Sequence, residues 1–318
     1  MMELVIISLG FIITAYAVIA NDVIQTLGTF LVSNHKKHWL LLWFYAAIIL
    51  AITLIYGWFV HNGDVSYGRL IKIPLPDQLE WWYLLAPMSL LVITRLGIPV
   101  STTFMILSVF STSQIIEKMI LKSVLGYALA FIVAVVIYLL ISKTLESQAS
   151  LRLMHIKKQK KYWLIAQWFS TGFLWSQWLI QDFANIYVFL PRKLSIYELI
   201  LSLGVILLIM AYIFKSRGGK IQQIVNQKSN VENIRSATII DLCYGVLLYT
   251  LGTVSSIPMS TTWTFIGILA GREIAINYLL EREKLKYTYK LIFKDLSKVN
   301  IGLIVSVLIA FTIQLLKS

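Results

Sequence analysis

Apolar residues run along this chain in long blocks. The clearest are Leu4–Ala20, Trp39–Phe59, Leu121–Ile141, Trp163–Ile180, Leu194–Phe214 and Ile301–Leu316. A helix needs ~20 apolar residues to cross a bilayer core, so each block predicts a membrane helix. Two more stretches are broken. Trp81–Thr94 and Thr102–Ile115 hold 14 residues each, and Arg95-Leu96-Gly97-Ile98-Pro99 separates them. Ala237–Ala270 is interrupted by Gly252-Thr253-Val254-Ser255-Ser256-Ile257-Pro258. Gly and Pro end helices at such points, so each broken stretch predicts a re-entrant helical hairpin.

Composition agrees. Of 318 residues, 58% are hydrophobic and 14% charged, with a mean hydropathy of +0.77. Ordinary globular chains run about 45–50% apolar and about 25% charged. The excess apolar surface has to face lipid. Ala15-Tyr16-Ala17 resembles a cleavage site, but Met1-Met2-Glu3 offers no positive n-region, so the first block is read as a retained span. Cys243 is the only cysteine. That excludes a disulfide framework within one chain, and its apolar setting marks a small core residue.

The net charge of +13 would suit nucleic acid if the basic residues formed one patch. They sit instead in loops between apolar blocks. Ser33–His38, Lys143–Lys161, Lys215–Arg235 and Arg272–Lys298 carry 20 of the 28 Lys and Arg. Asn62–Glu80, Ile116–Lys122, Pro191–Leu194 and the C-terminal end carry 7, and Arg95 is left over. The positive-inside bias places the first group in the cytoplasm. Both hairpins must then enter and return, the first from outside and the second from inside. Each half has three crossings and one hairpin, so the second half is inverted and both termini lie outside. The expected fold is an all-α integral membrane protein of two inverted-topology repeats. The first repeat is 1–150, a basic cytoplasmic linker is 151–161, and the second repeat is 162–318.

The repeat is visible in residues. Asn21-Asp22-Val23-Ile24-Gln25 precedes Pro99-Val100-Ser101-Thr102-Thr103, and Gln181-Asp182-Phe183-Ala184-Asn185 precedes Pro258-Met259-Ser260-Thr261-Thr262. Asp22 and Thr102 stand 80 residues apart, Asp182 and Thr261 79. Matched order, chemistry and spacing distinguish this pair from a chance Ser-Thr-Thr.

Each trio follows a Pro-marked break and precedes an apolar run, so Ser101 and Ser260 are expected N-caps. Helix N-termini present unpaired N–H groups and a positive dipole end, an anion site without a charged side chain. Ser101, Thr102, Thr103, Ser260, Thr261 and Thr262 add hydroxyl donors. Two hairpins entering from opposite faces would aim them at one midplane position. The structural alternative is that each hydroxyl back-bonds to its own helix. Asp22 and Asp182 end apolar blocks, and ionisable residues at membrane depth are costly and functional. With Asn21, Gln25, Gln181 and Asn185 they supply carboxylate and amide oxygens, which suit a hard cation such as sodium. The alternative is a helix cap near the interface. Gly28 and Thr29 extend the first motif. Arg95 stands where it could attract an anion, snorkel, or pair with an aspartate. Trp39, Trp81, Trp82 and Trp163 read as interface anchors, His35 and His38 as a solvated loop, and Glu281–Lys298 as a cytoplasmic amphipathic segment or surface helix.

These motifs resemble the inorganic phosphate transporter (PiT) family of secondary carriers. That family carries Gly-Ala-Asn-Asp-Val-Ala-Asn and Pro-Val-Ser-Thr-Thr-His motifs in each half. The resemblance covers about residue 4 to residue 316. It implies uptake of inorganic phosphate coupled to sodium or protons, with the trios on phosphate and the Asp/Asn motifs on the cation, in a bacterial inner or plasma membrane. The departures are Gln25 and Gln181 for Asn, Phe183 for a small aliphatic residue, and Phe104 and Trp263 for His. Relatives carry sulfate, so another oxyanion is the alternative cargo. A transport-inactive sensor or structural subunit is the alternative class. No nucleophile–base pair or metal cluster points to an enzyme. A homodimer is compatible with the sequence.

Overall fold

The computed structural model describes residues 2–73, 75–95, 100–145, 157–216, 234–254, 256–280 and 285–317. Its regular elements are all helices: α1 (Met2–Val18), α2 (Ile24–Ser33), α3 (Trp39–Val60), α4 (Leu85–Arg95), α5 (Ser113–Leu145), α6 (Lys157–Tyr187), α7 (Ile196–Lys215), α8 (Ile234–Val254), α9 (Thr261–Leu280) and α10 (Leu285–Lys317). Among the described residues, Met2–Val23, Trp39–Val60, Ser113–Leu140 and Ile196–Lys215 are long and apolar enough to cross a membrane. The chain is an all-helical integral membrane protein. Lipid exposure is legible in α3. Leu41, Phe44, Ile48, Ile52, Ile55 and Phe59 face outward, while Leu42, Ala46, Leu50 and Leu54 are buried. Both sets recur at helical spacing, so one face meets lipid and the other the protein.

The core is assembled by helices that approach closely. The densest packing is α5 against α9. Gly267 and Gly271 lie four apart on α9, facing the backbone of Tyr127 and Phe131 and the methyl groups of Ala130 and Ala134 on α5. Small residues at this spacing let two membrane helices come together. On the other side α8 packs along α6, where Gly245 meets Phe173. The two arms around the second break are thus held by different helices. At their junction Ser256 is exposed, while Pro258, Met259 and Ser260 are buried.

Three sequence expectations change here. Ile116–Lys122, read as an outer loop, is part of α5. Ile115, Met119 and Ile120 continue the apolar face against the core, while Lys118 is exposed and Lys122 donates to the Ile257 carbonyl. The second arm of the first hairpin is not a 14-residue helix. It is a five-residue π-helical turn, Thr103–Leu107, followed by turns up to α5. Ser108 and Ser111 donate to the carbonyls of Phe104 and Leu107. Such back-bonds compete with helix continuation. Arg272–Leu280, expected to open a cytoplasmic loop, instead completes α9, while the segment expected as amphipathic or a surface helix, Glu281–Lys298, is helical from Leu285 onward in α10. Arg272 is buried in α9, paired with Glu273 at 2.6 Å and set over the ring of Tyr138. Residues 96–99, 146–156, 217–233 and 281–284 lie outside the described residues, and with them most of the two middle basic loops.

Candidate functional site

The first motif lies in a widened turn. Ile19–Val23 forms one π-helical turn between α1 and α2. Single π turns inside helices recur at functional sites. This one carries Asn21 and Asp22, both fully enclosed. Asp182 and Asn185 sit one turn apart on unbroken α6, equally enclosed. The side chain of Gln25 lies outside the described residues. The other eleven expected site residues are each at most 4% exposed.

Both hairpin tips arrive at this cluster. Ser101 accepts from the Phe104 N–H and Ser260 from the Trp263 N–H, each at 3.2 Å. The two serines therefore cap their helical turns. The third residues of the trios tie the tips together: Thr103 donates to the Met259 carbonyl at 3.0 Å, and Thr262 to the Val100 carbonyl at 3.3 Å. The bonds are reciprocal, each reaching the residue between Pro and Ser of the other tip. The aromatic residues after the trios, Phe104 and Trp263, meet edge to face with centroids 6.4 Å apart.

Thr102 is the hub. Its hydroxyl donates to Asp22 Oδ2 at 2.6 Å and lies 3.5 Å from Asp182 Oδ1. Asn185 Nδ2 donates to Thr102 and Thr103, each at 3.2 Å, and to Asp182 Oδ1. Asn21 Nδ2 donates to Asp22 Oδ1 and to the Val100 carbonyl, both at 2.8 Å. These acceptors fix the amide orientations, because a flip would set oxygen against oxygen. Three buried oxygens are then left without a donor: Asn21 Oδ1, Asp182 Oδ2 and Asn185 Oδ1. Buried acceptors are seldom left unpaired, and two carboxylates around one hydroxyl repel each other. A cation bound here would answer both. Carboxylate, amide and hydroxyl oxygens are hard donors, which suit sodium and do not suit soft metals.

Gln181 does not join this set. Its Oε1 accepts from Arg69 Nε at 3.0 Å and its Nε2 donates to the Leu248 carbonyl at 3.1 Å. Asn21, at the matching place, bonds Val100. The extra methylene of Gln181 carries its amide past the corresponding carbonyl. Arg69 comes from the loop after α3 and is 4% exposed. Burial pulls its guanidinium down to about 10, against the opposing field of Asp182, so it is charged at neutral pH. Arg95, the arginine singled out from sequence, is exposed and belongs to no buried site. His35 and His38 are exposed, as expected.

A second feature escaped the sequence reading. Asp241 on α8 is enclosed, and both its oxygens are used: Thr29 donates at 2.7 Å and Thr171 at 2.5 Å. The three residues join α2, α6 and α8. An acidic residue inside the apolar stretch Ala237–Ala270 was the available signal. Asp241→Leu is expected to strand both hydroxyls, at about 1–3 kcal/mol each. Asp241→Asn, which keeps an acceptor, should cost less. Thermal unfolding of both variants in detergent checks this; equal stability of the Leu variant and the parent would remove the structural role.

No family model matches the chain, and no curated protein does. A solved structure of a sodium-dependent phosphate transporter has the same fold, with a TM-score of 0.61 over 99% of this chain and 100% of that one. Sequence identity is 17%.

Proposed function

We propose that this chain is a secondary transporter that takes up inorganic phosphate together with sodium. One observation carries the reading: both trios and both Asp motifs, distant in sequence, close on one buried cluster with three unpaired oxygen acceptors. The likeness to a sodium-dependent phosphate transporter supports it. In this reading Asn21, Asp22, Asp182 and Asn185 hold the cation, and the oxyanion is received between the trios at the N-terminus of α9, the hydroxyls of Thr102, Thr103 and Thr262 turning to it from the bonds they make to Asp22, Met259 and Val100. The cation offsets the anion's charge and ties its movement to the sodium gradient. Gln181 acts through Arg69 and not as a cation ligand. Residues 1–150 and 162–318 act as two inverted repeats, and the reciprocal bonds from Thr103 and Thr262 are the contacts their rocking breaks and remakes, as expected for alternating access around a midplane site.

Labelled phosphate uptake into proteoliposomes tests the proposal. Accumulation is expected with an inward sodium gradient and not with potassium in its place. A proton gradient serving equally well would reassign the coupling ion. No uptake under either gradient would sink the transport reading.

A further inference from the structure

We propose that the first turns of α10 bind anionic phospholipid headgroups through Tyr289, Lys290, Phe293 and Lys294. The site goes beyond the transport reading and does not rest on it.

Helix α10 is longer than a membrane crossing requires. Its 33 residues reach about 50 Å at 1.5 Å per residue. A hydrocarbon core is about 30 Å thick, and about 40–45 Å with the headgroup layers included. The apolar part of α10 is its far end, Asn300–Ile313. Its near end carries Lys286, Lys290, Lys294 and Lys298, one at every fourth position, and Asp295 is the one acid between Leu285 and Lys298. With the far end in the core, the near end reaches the headgroup layer.

The two ends share one face. Ile301, Ile304, Leu308 and Phe311 are exposed on the apolar part and so meet lipid tails. Ile301 stands eleven residues past Lys290, and Ile304 eleven past Phe293. Eleven residues are close to three helical turns, so the lipid-facing stripe runs straight on into the lysine segment. There Lys290 and Lys294 are exposed, and Tyr289 and Phe293 are 58% and 73% exposed. The opposite face is the one turned inward. Thr288 is buried and accepts from Asn277 of α9 at 2.8 Å.

Aromatic rings and lysines at the end of a lipid-facing stripe fit one medium. Aromatic rings settle at headgroup level, and lysine stems cover apolar surface while their ammonium groups reach the phosphates. Clustered positive charge beside a membrane span favours anionic over zwitterionic headgroups. The same helix bears on the first hairpin tip. A Cβ at Gly302 would stand 3.2 Å from Val100, and Ser306 Oγ lies 3.8 Å from Met105 Sδ. A lipid held by the lysines steadies the helix against which that tip rests.

The test titrates the full chain in detergent with phosphatidylglycerol or phosphatidylcholine, read by native mass spectrometry. The first phosphatidylglycerol should bind more tightly than the first phosphatidylcholine. Lys290→Gln/Lys294→Gln should weaken the first phosphatidylglycerol by about ten- to thirty-fold and leave phosphatidylcholine unchanged. Lys290→Arg/Lys294→Arg keeps the charge and should bind like the parent. So should Lys72→Gln/Lys118→Gln, which removes the same charge from exposed positions elsewhere. Tyr289→Ala/Phe293→Ala should weaken both lipids. Phosphatidylglycerol binding that is unchanged in Lys290→Gln/Lys294→Gln, or weakened equally in Lys72→Gln/Lys118→Gln, would overturn the site. A dimer mass in the same spectra that Lys290→Gln/Lys294→Gln converts to monomer would also do so, since it assigns the face to a second copy of the chain.

Discussion

Asp22→Asn is expected to cut sodium-driven phosphate uptake by about 10- to 100-fold, the range seen when groups that set up an ion site are replaced. The side chain is nearly isosteric, so the loss should come without unfolding. In the parent both carboxylate oxygens accept: Oδ1 from Asn21 and Oδ2 from Thr102. An amide here can present oxygen to only one of them. The other donor then faces an NH₂ group, and either Asn21 or Thr102 must turn away. Asn21 also bonds Val100 in the first hairpin tip, and Thr102 also accepts from Asn185. The disturbance reaches both halves. Neutralising one of the two carboxylates also removes the repulsion between them that a cation would relieve. Sodium dependence should weaken more than phosphate affinity, which separate titrations of sodium and phosphate in the uptake assay resolve. Full coupled activity in Asp22→Asn would remove the cation role of this residue.

Much of this centre was legible in the chain because it is written twice. A single Ser-Thr-Thr says little, but two behind Pro, each about 80 residues past a membrane aspartate, mark positions that the fold must bring together. The capping roles of Ser101 and Ser260 followed from local chemistry alone, and the structure bears them out. What stayed hidden depends on tertiary contact. Arg69 lies in a polar loop with no periodic or motif signal, and its importance comes from reaching Gln181 across 112 positions. The partners of Gln181 were hidden for the same reason, since its amide bonds Arg69 and Leu248, which are far from it in sequence. Asp241 carried a local signal, an acid within an apolar hairpin, but its partners Thr29 and Thr171 come from two other helices. Loop charge misplaced the start of α5, because Lys118, exposed, and Lys122, bonded to the Ile257 carbonyl, are both carried on an apolar helix.

The second large effect concerns what holds the centre in place. Gly271→Leu should destabilise the protein by about 3 kcal/mol or more, beyond the 1–3 kcal/mol typical of overpacking. A Cβ at this position would stand 2.4 Å from the Phe131 carbonyl and 2.9 Å from the Ala134 methyl. The first obstacle is backbone, which cannot rotate aside as a side chain would. Helix propensity acts the other way, since glycine in a helix interior is about 0.5–1 kcal/mol worse than alanine. Gly204 on α7 separates the two effects. Nothing lies within 4 Å of its Cβ position, so Gly204→Ala should be neutral or stabilising, while Gly271→Ala should destabilise. Thermal unfolding of the three variants in one detergent checks the order, and a Gly271→Ala variant as stable as the parent would remove the close approach of α5 and α9. The consequence extends to function. Helix α9 begins at Thr261 and carries Thr262, whose bond to Val100 helps tie the two tips. Pushing α9 off α5 by even a fraction of an ångström moves one trio relative to the other, so uptake should fall in step with stability although Gly271 lies more than two turns from the site.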